Sequence, residues 1–131
     1  MPPVQNRSMI YLFLLFAGGF LYVVLEFFWR GYSHVSMAFA GGLCTVLMYG
    51  VLTRIPQVIL PIRALIGTVI ITAVEFVVGA VVNVRMKLNV WDYSALPMNC
   101  YGQICLQYSI LWLLLSVPAV VLIDVVYRLY G

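Results

Sequence analysis

Three observations predict an all-α integral membrane fold, a bundle of four spanning helices. Of 131 residues, 65% are hydrophobic and only 8% charged, with a mean hydropathy of +1.09. A soluble domain of this size lacks the polar surface to cover so much apolar side chain. Four apolar runs reach the roughly 20 residues needed to cross about 30 Å of hydrocarbon as helix. The alternating strands that a membrane barrel requires are absent, and backbone groups in lipid must pair internally, so these runs read as helices.

The first span is expected at residues 9–29. It is too long for the usual apolar segment of a signal peptide, and it carries Glu26 and Trp29 in place of a small-residue cleavage site. It is therefore expected to stay in the protein. Arg30-Gly31-Tyr32-Ser33 supplies a tight turn into the second span, residues 35–53. Arg54-Ile55-Pro56 through Pro61 makes the next connection, and Pro61 suits a first helical turn, where its missing N–H loses nothing. The third span covers residues 62–84 and leads into an interfacial loop, residues 85–102. The fourth covers residues 103–127, and Pro118 inside it predicts a kink or local loosening. One transmembrane domain, residues 1–131, takes in the whole chain.

The formal charge of +3 comes from basic residues scattered near helix ends. That pattern suits headgroup anchoring and argues against nucleic acid, which needs a clustered basic face. Arg7, Arg54, Arg63 and Arg128 fall on one side of the membrane, and Arg30, Arg85 and Lys87 on the other. The small excess leans towards cytoplasmic termini and leaves insertion in both orientations open. Cys44, Cys100 and Cys105 lack metal-ligand spacing. Cys44 and Cys105 are expected to pack as small apolar residues, with Cys100 meeting water.

Two glutamates lie within spans, in matching surroundings: Val24-Leu25-Glu26-Phe27 and Ala73-Val74-Glu75-Phe76. At the same offset Gly18 falls on Gly67. The match suggests two parallel helix-hairpin repeats, helices one–two and three–four. A carboxylate in the bilayer costs roughly 2.5–3.5 kcal/mol on insertion scales, so each needs a reason. On helix three, Thr68, Thr72, Glu75, Gly79 and Asn83 follow helical spacing and form one polar stripe. Such a stripe must face protein or water. It serves either as a cation or proton site at Glu75 with Asn83 beside it, or as hydrogen-bonding glue between helices.

Helix one carries Gly19, Tyr22, Glu26 and Arg30 on one face, with Glu26 and Arg30 spaced for an ion pair. The pair either eases insertion or, with His34 across the turn, acts as a gate or anion clamp. Small residues Ala17, Gly18 and Gly19, then Ala38, Ala40, Gly41 and Gly42, permit close helix approach or association between copies. Met37, Gly41, Cys44 and Met48 form a core-like stripe. In the third loop, Trp91, Tyr93 and Tyr101 suit the headgroup boundary. Asp92 and Ser94 suit an Asx turn, and Asn99 a helix cap. The loop is either a structured interfacial segment or a re-entrant lid carrying Asp92, Asn99 and Gln103 towards Glu75.

The run Trp91-Asp92-Tyr93-Ser94-x-x-Pro97-x-Asn99-x-x-Gly102-Gln103-Ile104-Cys105-Leu106, followed by Ser109 and Trp112, resembles the signature of the ABC-transporter type IV, or CmpB-like, family. Glu26 with Arg30 and Glu75 with Gly79 resemble its other recurrent positions. The resemblance implies transport. The chain contains no Walker-type phosphate loop, so its implied place is the membrane part of such a system.

The reading that follows is a small membrane transporter or channel-like protein with a buried carboxylate cation or proton site. Glu75 is the central candidate, with Glu26, Arg30, Asp92, Asn83, Asn99 and Gln103 as further binding residues. Its partners would be the lipid bilayer, further copies in a homo-oligomer and other transport subunits. The alternative is a structural or regulatory membrane subunit that transports nothing. No Ser/His/Asp set, metal cluster or cofactor motif supports an enzyme, and no cofactor is expected.

Overall fold

The computed structural model describes residues 4–31, 34–88, 90–92 and 94–130, without the side chains of residues 4–7, 30 and 130. It is an all-α four-helix fold: α1 (Val4–Arg30), α2 (Val35–Leu52), α3 (Leu60–Gly79) and α4 (Leu106–Tyr130). Windows in all four are long and apolar enough to cross a membrane: Ser8–Trp29, Val35–Leu52, Leu60–Arg85 and Leu106–Leu129. The chain is thus a multi-pass integral membrane protein. Among them α2 is shortest, and its 18 residues rise only about 27 Å. Pro61 stands in the first turn of α3, and α4 runs unbroken through Pro118.

The most extensive packing pairs α1 with α2, then α3 with α4. These are the two hairpins of the expected repeat, but their seams are made of different chemistry. Along α1/α2, a Cβ added at Gly18 would collide with the Thr45 side chain, and one at Gly19 with the Ala38 carbonyl. One at Gly41 would strike Tyr22, and one at Gly42 the Leu15 carbonyl. All four glycines therefore serve contact inside one chain. At these four positions the close helix approach that the sequence allowed is made within the chain. Beneath this seam lies an apolar cluster of Ile10, Leu14, Met48, Tyr49, Leu52, Val120 and Ile123, which brings α1, α2 and α4 together.

Along α3/α4 the seam is polar. Asp124 on α4 accepts from both Nη atoms of Arg63, at 2.7 and 2.8 Å, and Arg63 Nη2 also donates to the Leu52 carbonyl at 2.9 Å. One guanidinium thus ties three helices at a single end of the bundle. Arg63, counted in the sequence among the basic residues on the terminal side, lies within α3 with 4% of its surface exposed. Further along the seam, the Thr68 hydroxyl lies 3.4 Å from that of Ser116.

The third connection also departs from the sequence reading. Past Gly79 the helix widens into a π segment, Ala80–Arg85, in which the Met86 amide bonds the Val81 carbonyl. A two-stranded antiparallel hairpin follows, β1 (Asn99–Cys100) with β2 (Ile104–Cys105). Tyr101 and Gly102 at its tip have φ of 54° and 73°, and the Gln103 amide bonds the Cys100 carbonyl at 3.1 Å. Positive φ at both central residues is the mark of a type I′ turn. Gln103 is consumed by this turn, which is why α4 starts at Leu106. Asn99 does not cap α4. Its side chain accepts from the Gly102 amide and donates to the Leu96 carbonyl, holding the hairpin instead.

Removing one partner of the Arg63–Asp124 pair leaves a charge without compensation. Asp124→Asn is expected to destabilise the bundle by about 3 kcal/mol, the lower end of the range for buried pairs, because the Asp124 side chain is 33% exposed. The double variant Arg63→Met/Asp124→Leu should recover most of that loss. Unfolding of the purified protein in mixed micelles measures both.

Candidate functional site

Every member of the α3 polar stripe is turned into the bundle to some degree. Thr68, Glu75 and Gly79 are buried, while Thr72 and Asn83 are half-buried. Glu75, with 8% of its surface exposed, accepts a hydrogen bond from Trp112 Nε1 of α4 at 2.9 Å. Trp112 in turn lies against Tyr22 of α1, with ring centroids 5.7 Å apart. One turn below, the Thr72 hydroxyl is buried without a hydrogen-bond partner.

A cavity of about 10 Å³ borders Glu75, room for roughly one water molecule. Tyr22, Met37, Cys44, Val74 and Trp91 are among its walls, so α1, α2, α3 and the third loop all reach it. Trp91 is the loop's contribution. The sequence placed it at the headgroup boundary, but it is buried, and its indole N–H donates to the Gln103 carbonyl at 2.9 Å. Tyr101 does lie exposed, and Tyr93 falls outside the described residues.

Asn83 holds this plug in place. Its Nδ2 donates to Gln103 Oε1 at 2.9 Å, and its Oδ1 accepts from the amides of Val90 at 2.6 Å and Trp91 at 3.2 Å. The π segment carries Asn83 just past Gly79, where a Cβ would collide with both Gln103 and Trp91. Glycine there lets the loop seat directly on α3. Gln103 is buried and completes its bonding through Nε2 to the Tyr101 carbonyl at 2.8 Å.

Asn83 and Gln103 are thus brought together, one helical stretch from Glu75. Asp92 and Asn99 are not drawn towards it. Asp92 is exposed and accepts from the Ser94 amide at 2.9 Å, while Asn99 bonds within the hairpin. Glu26 is half-buried on α1, and the Arg30 side chain expected beside it lies outside the described residues. His34 acts as the N-cap of α2, its Nδ1 accepting from the Ser36 amide at 3.1 Å. Cys44 and Cys105 are buried, and Cys100 is exposed.

The sequence reading missed the partners on α4. Ser109, Trp112 and Ser116 follow helical spacing like that of the α3 stripe, and that pattern could have matched one stripe to the other. A single acid near the end of the fourth span, opposite a base near the start of the third, was a further signal for Asp124.

Comparison with known proteins follows this geometry. The family model described as "Putative ABC-transporter type IV" matches residues 9–130. No curated protein and no solved structure matches the chain.

Two outcomes test the loop. Asn83→Ala removes three hydrogen bonds and is expected to cost about 2 kcal/mol, and it should leave Trp91 open to an aqueous fluorescence quencher. Unchanged quenching would show that Asn83 does not hold the plug. The amide and hydroxyl of Ser94 keep the Asp92 carboxyl below its ordinary value of 3.8. A folded value below the unfolded one means that this turn contributes stability above about 3.8 and loses it as pH falls through the lower folded value. The Ser94 amide resonance should follow that acid titration in the native chain and not in Asp92→Asn.

Proposed function

The chain belongs to the ABC-transporter type IV family, and from that premise we propose that it is the membrane component of a transport system whose binding group is Glu75. The observation that carries the reading is a carboxylate near the middle of a span, buried, bonded by Trp112 and bordering a small cavity. A carboxylate that only joined two helices could be replaced at less cost by Thr or Asn, which the same stripe already uses. Glu75 takes up a cation or proton and releases it to the other side. Gln103 and Asn83 close the loop side by fixing Trp91, and the Arg63–Asp124 pair closes the opposite end. Glu26 and Arg30 are secondary binding groups on α1. Other copies or other subunits complete the path, because about 10 Å³ is not a solute route within one bundle.

A second reading has an observation of its own. Arg63 with Asp124 and Glu75 with Trp112 each find a partner inside the chain, as a structural or regulatory subunit would require. Flux from proteoliposomes separates the two. Transport predicts ion or proton flux by the native chain that Glu75→Gln abolishes while unfolding in detergent stays close to native. Equal flux from both, or none from either with and without partner subunits, favours the structural role.

A further inference from the structure

The cavity restricts what Glu75 can bind more tightly than the reading above requires. We infer that the species exchanged at Glu75 is a proton, passed to and from a single water, and not a metal or organic cation. The inference rests on Glu75 being the binding group of the proposed function, and it adds the identity of the ligand.

Size excludes organic cations. At about 10 Å³ the space lies at the lower limit for one water. Ligand supply argues against a desolvated metal ion, which is held by six or more oxygens in hard-cation sites. The cavity walls offer side-chain oxygens only from Glu75 and Tyr22; Met37, Ala40, Cys44, Ile71, Val74 and Trp91 bring none. Backbone carbonyls in these helices are committed to helical bonds. A proton needs neither volume nor a coordination sphere.

Charge points the same way. Among the residues lining the cavity, the titratable groups beside Glu75 are Tyr22 from α1 and Cys44 from α2; α4 presents Trp112 and the loop presents Trp91, and neither indole titrates. Protonation is the simplest way to neutralise a carboxylate in apolar surroundings. Hydronium in the cavity would give its proton to a carboxylate oxygen and remain as water, and release is the reverse step. The bond from Trp112 survives both states, since a carboxylate and a carboxylic acid each offer an accepting oxygen. The site can therefore change charge without repacking.

Infrared difference spectra of the full chain in lipid nanodiscs, recorded on stepping the pH, test this directly. A carboxylic-acid carbonyl band should appear on acidification, shift in Trp112→Phe, persist in Asp92→Asn and vanish in Glu75→Gln. At fixed pH, sodium, potassium, magnesium or tetraphenylphosphonium should leave the band unchanged. If Glu75→Gln does not fold, the Trp112→Phe shift still assigns the band. Loss of the band on adding any of these cations would overturn the inference, as would a Glu75 signal constant over the whole pH range in which the protein stays folded. A titrating band without flux would leave the proton site standing and remove the transport reading. Flux with cation competition would do the opposite.

Discussion

Hydrocarbon supplies no hydrogen bonds, so each polar side chain that α3 carries into the membrane must be met by another part of the protein. α4 and the turn before it meet four of them in order. Arg63 finds Asp124, Thr68 finds Ser116, Glu75 finds Trp112 and Asn83 finds Gln103. From Arg63 to Asn83 the number rises by 20, while from Asp124 to Gln103 the partner's number falls by 21. That is the register of two antiparallel helices, fixed at four heights. A slip by one turn would strand a guanidinium, a carboxylate and an amide together, each at a cost of kilocalories per mole. The polar seam therefore sets where α4 stands, and the apolar packing fills in around it.

The first hairpin uses the opposite device. Gly18, Gly19, Gly41 and Gly42 bring two backbones close enough for dispersion contacts to hold α1 to α2. Such a seam leaves the large residues of α1 for lipid, and Phe13, Phe16, Phe20 and Phe28 are all exposed. Close approach has a second consequence. It carries Tyr22 to Trp112 and Cys44 to the cavity, so that the glycine hairpin supplies two walls for the carboxylate of the polar one. Glu75 sits where the two hairpins meet.

The helices were legible because spanning a bilayer imposes length and apolarity on the local sequence, and each run carries both. Glu75 was legible for the complementary reason, a charge where the medium resists one. The stripe from Thr68 to Asn83 could be read from helical spacing alone. What the sequence concealed was pairing. Nothing local in Arg63 names Asp124, which lies a whole hairpin away, and an arginine near a span end reads equally well as an interfacial anchor. Trp91 misled for the same reason. Its amphipathic ring suits the headgroup region, and only the amide of Asn83, beyond a π segment the sequence does not announce, draws it inward. Tyr101 at positive φ is of the same kind: the hairpin depends on Gly102 and on Asn99, and the tyrosine is carried along.

Both ends of the α3/α4 seam are closed by multiple strong bonds, and its centre is not. Arg63 is held by three hydrogen bonds at one end, and Asn83 by three at the other. Between them lie the single Trp112–Glu75 bond, a long contact from Thr68 to Ser116, an unpartnered Thr72 hydroxyl and the void beside Glu75. Packing alone would favour the reverse, with the best-satisfied groups deepest, where a missing bond costs most. A rigid frame around an incompletely filled polar centre would suit the proposed binding group, whose neighbours would stay fixed if its own charge changed. That contrast between clamped ends and an open middle separates Glu75 from Asp124, although both are acids in spanning helices. Asp124 completes the frame, and Glu75 is what the frame encloses.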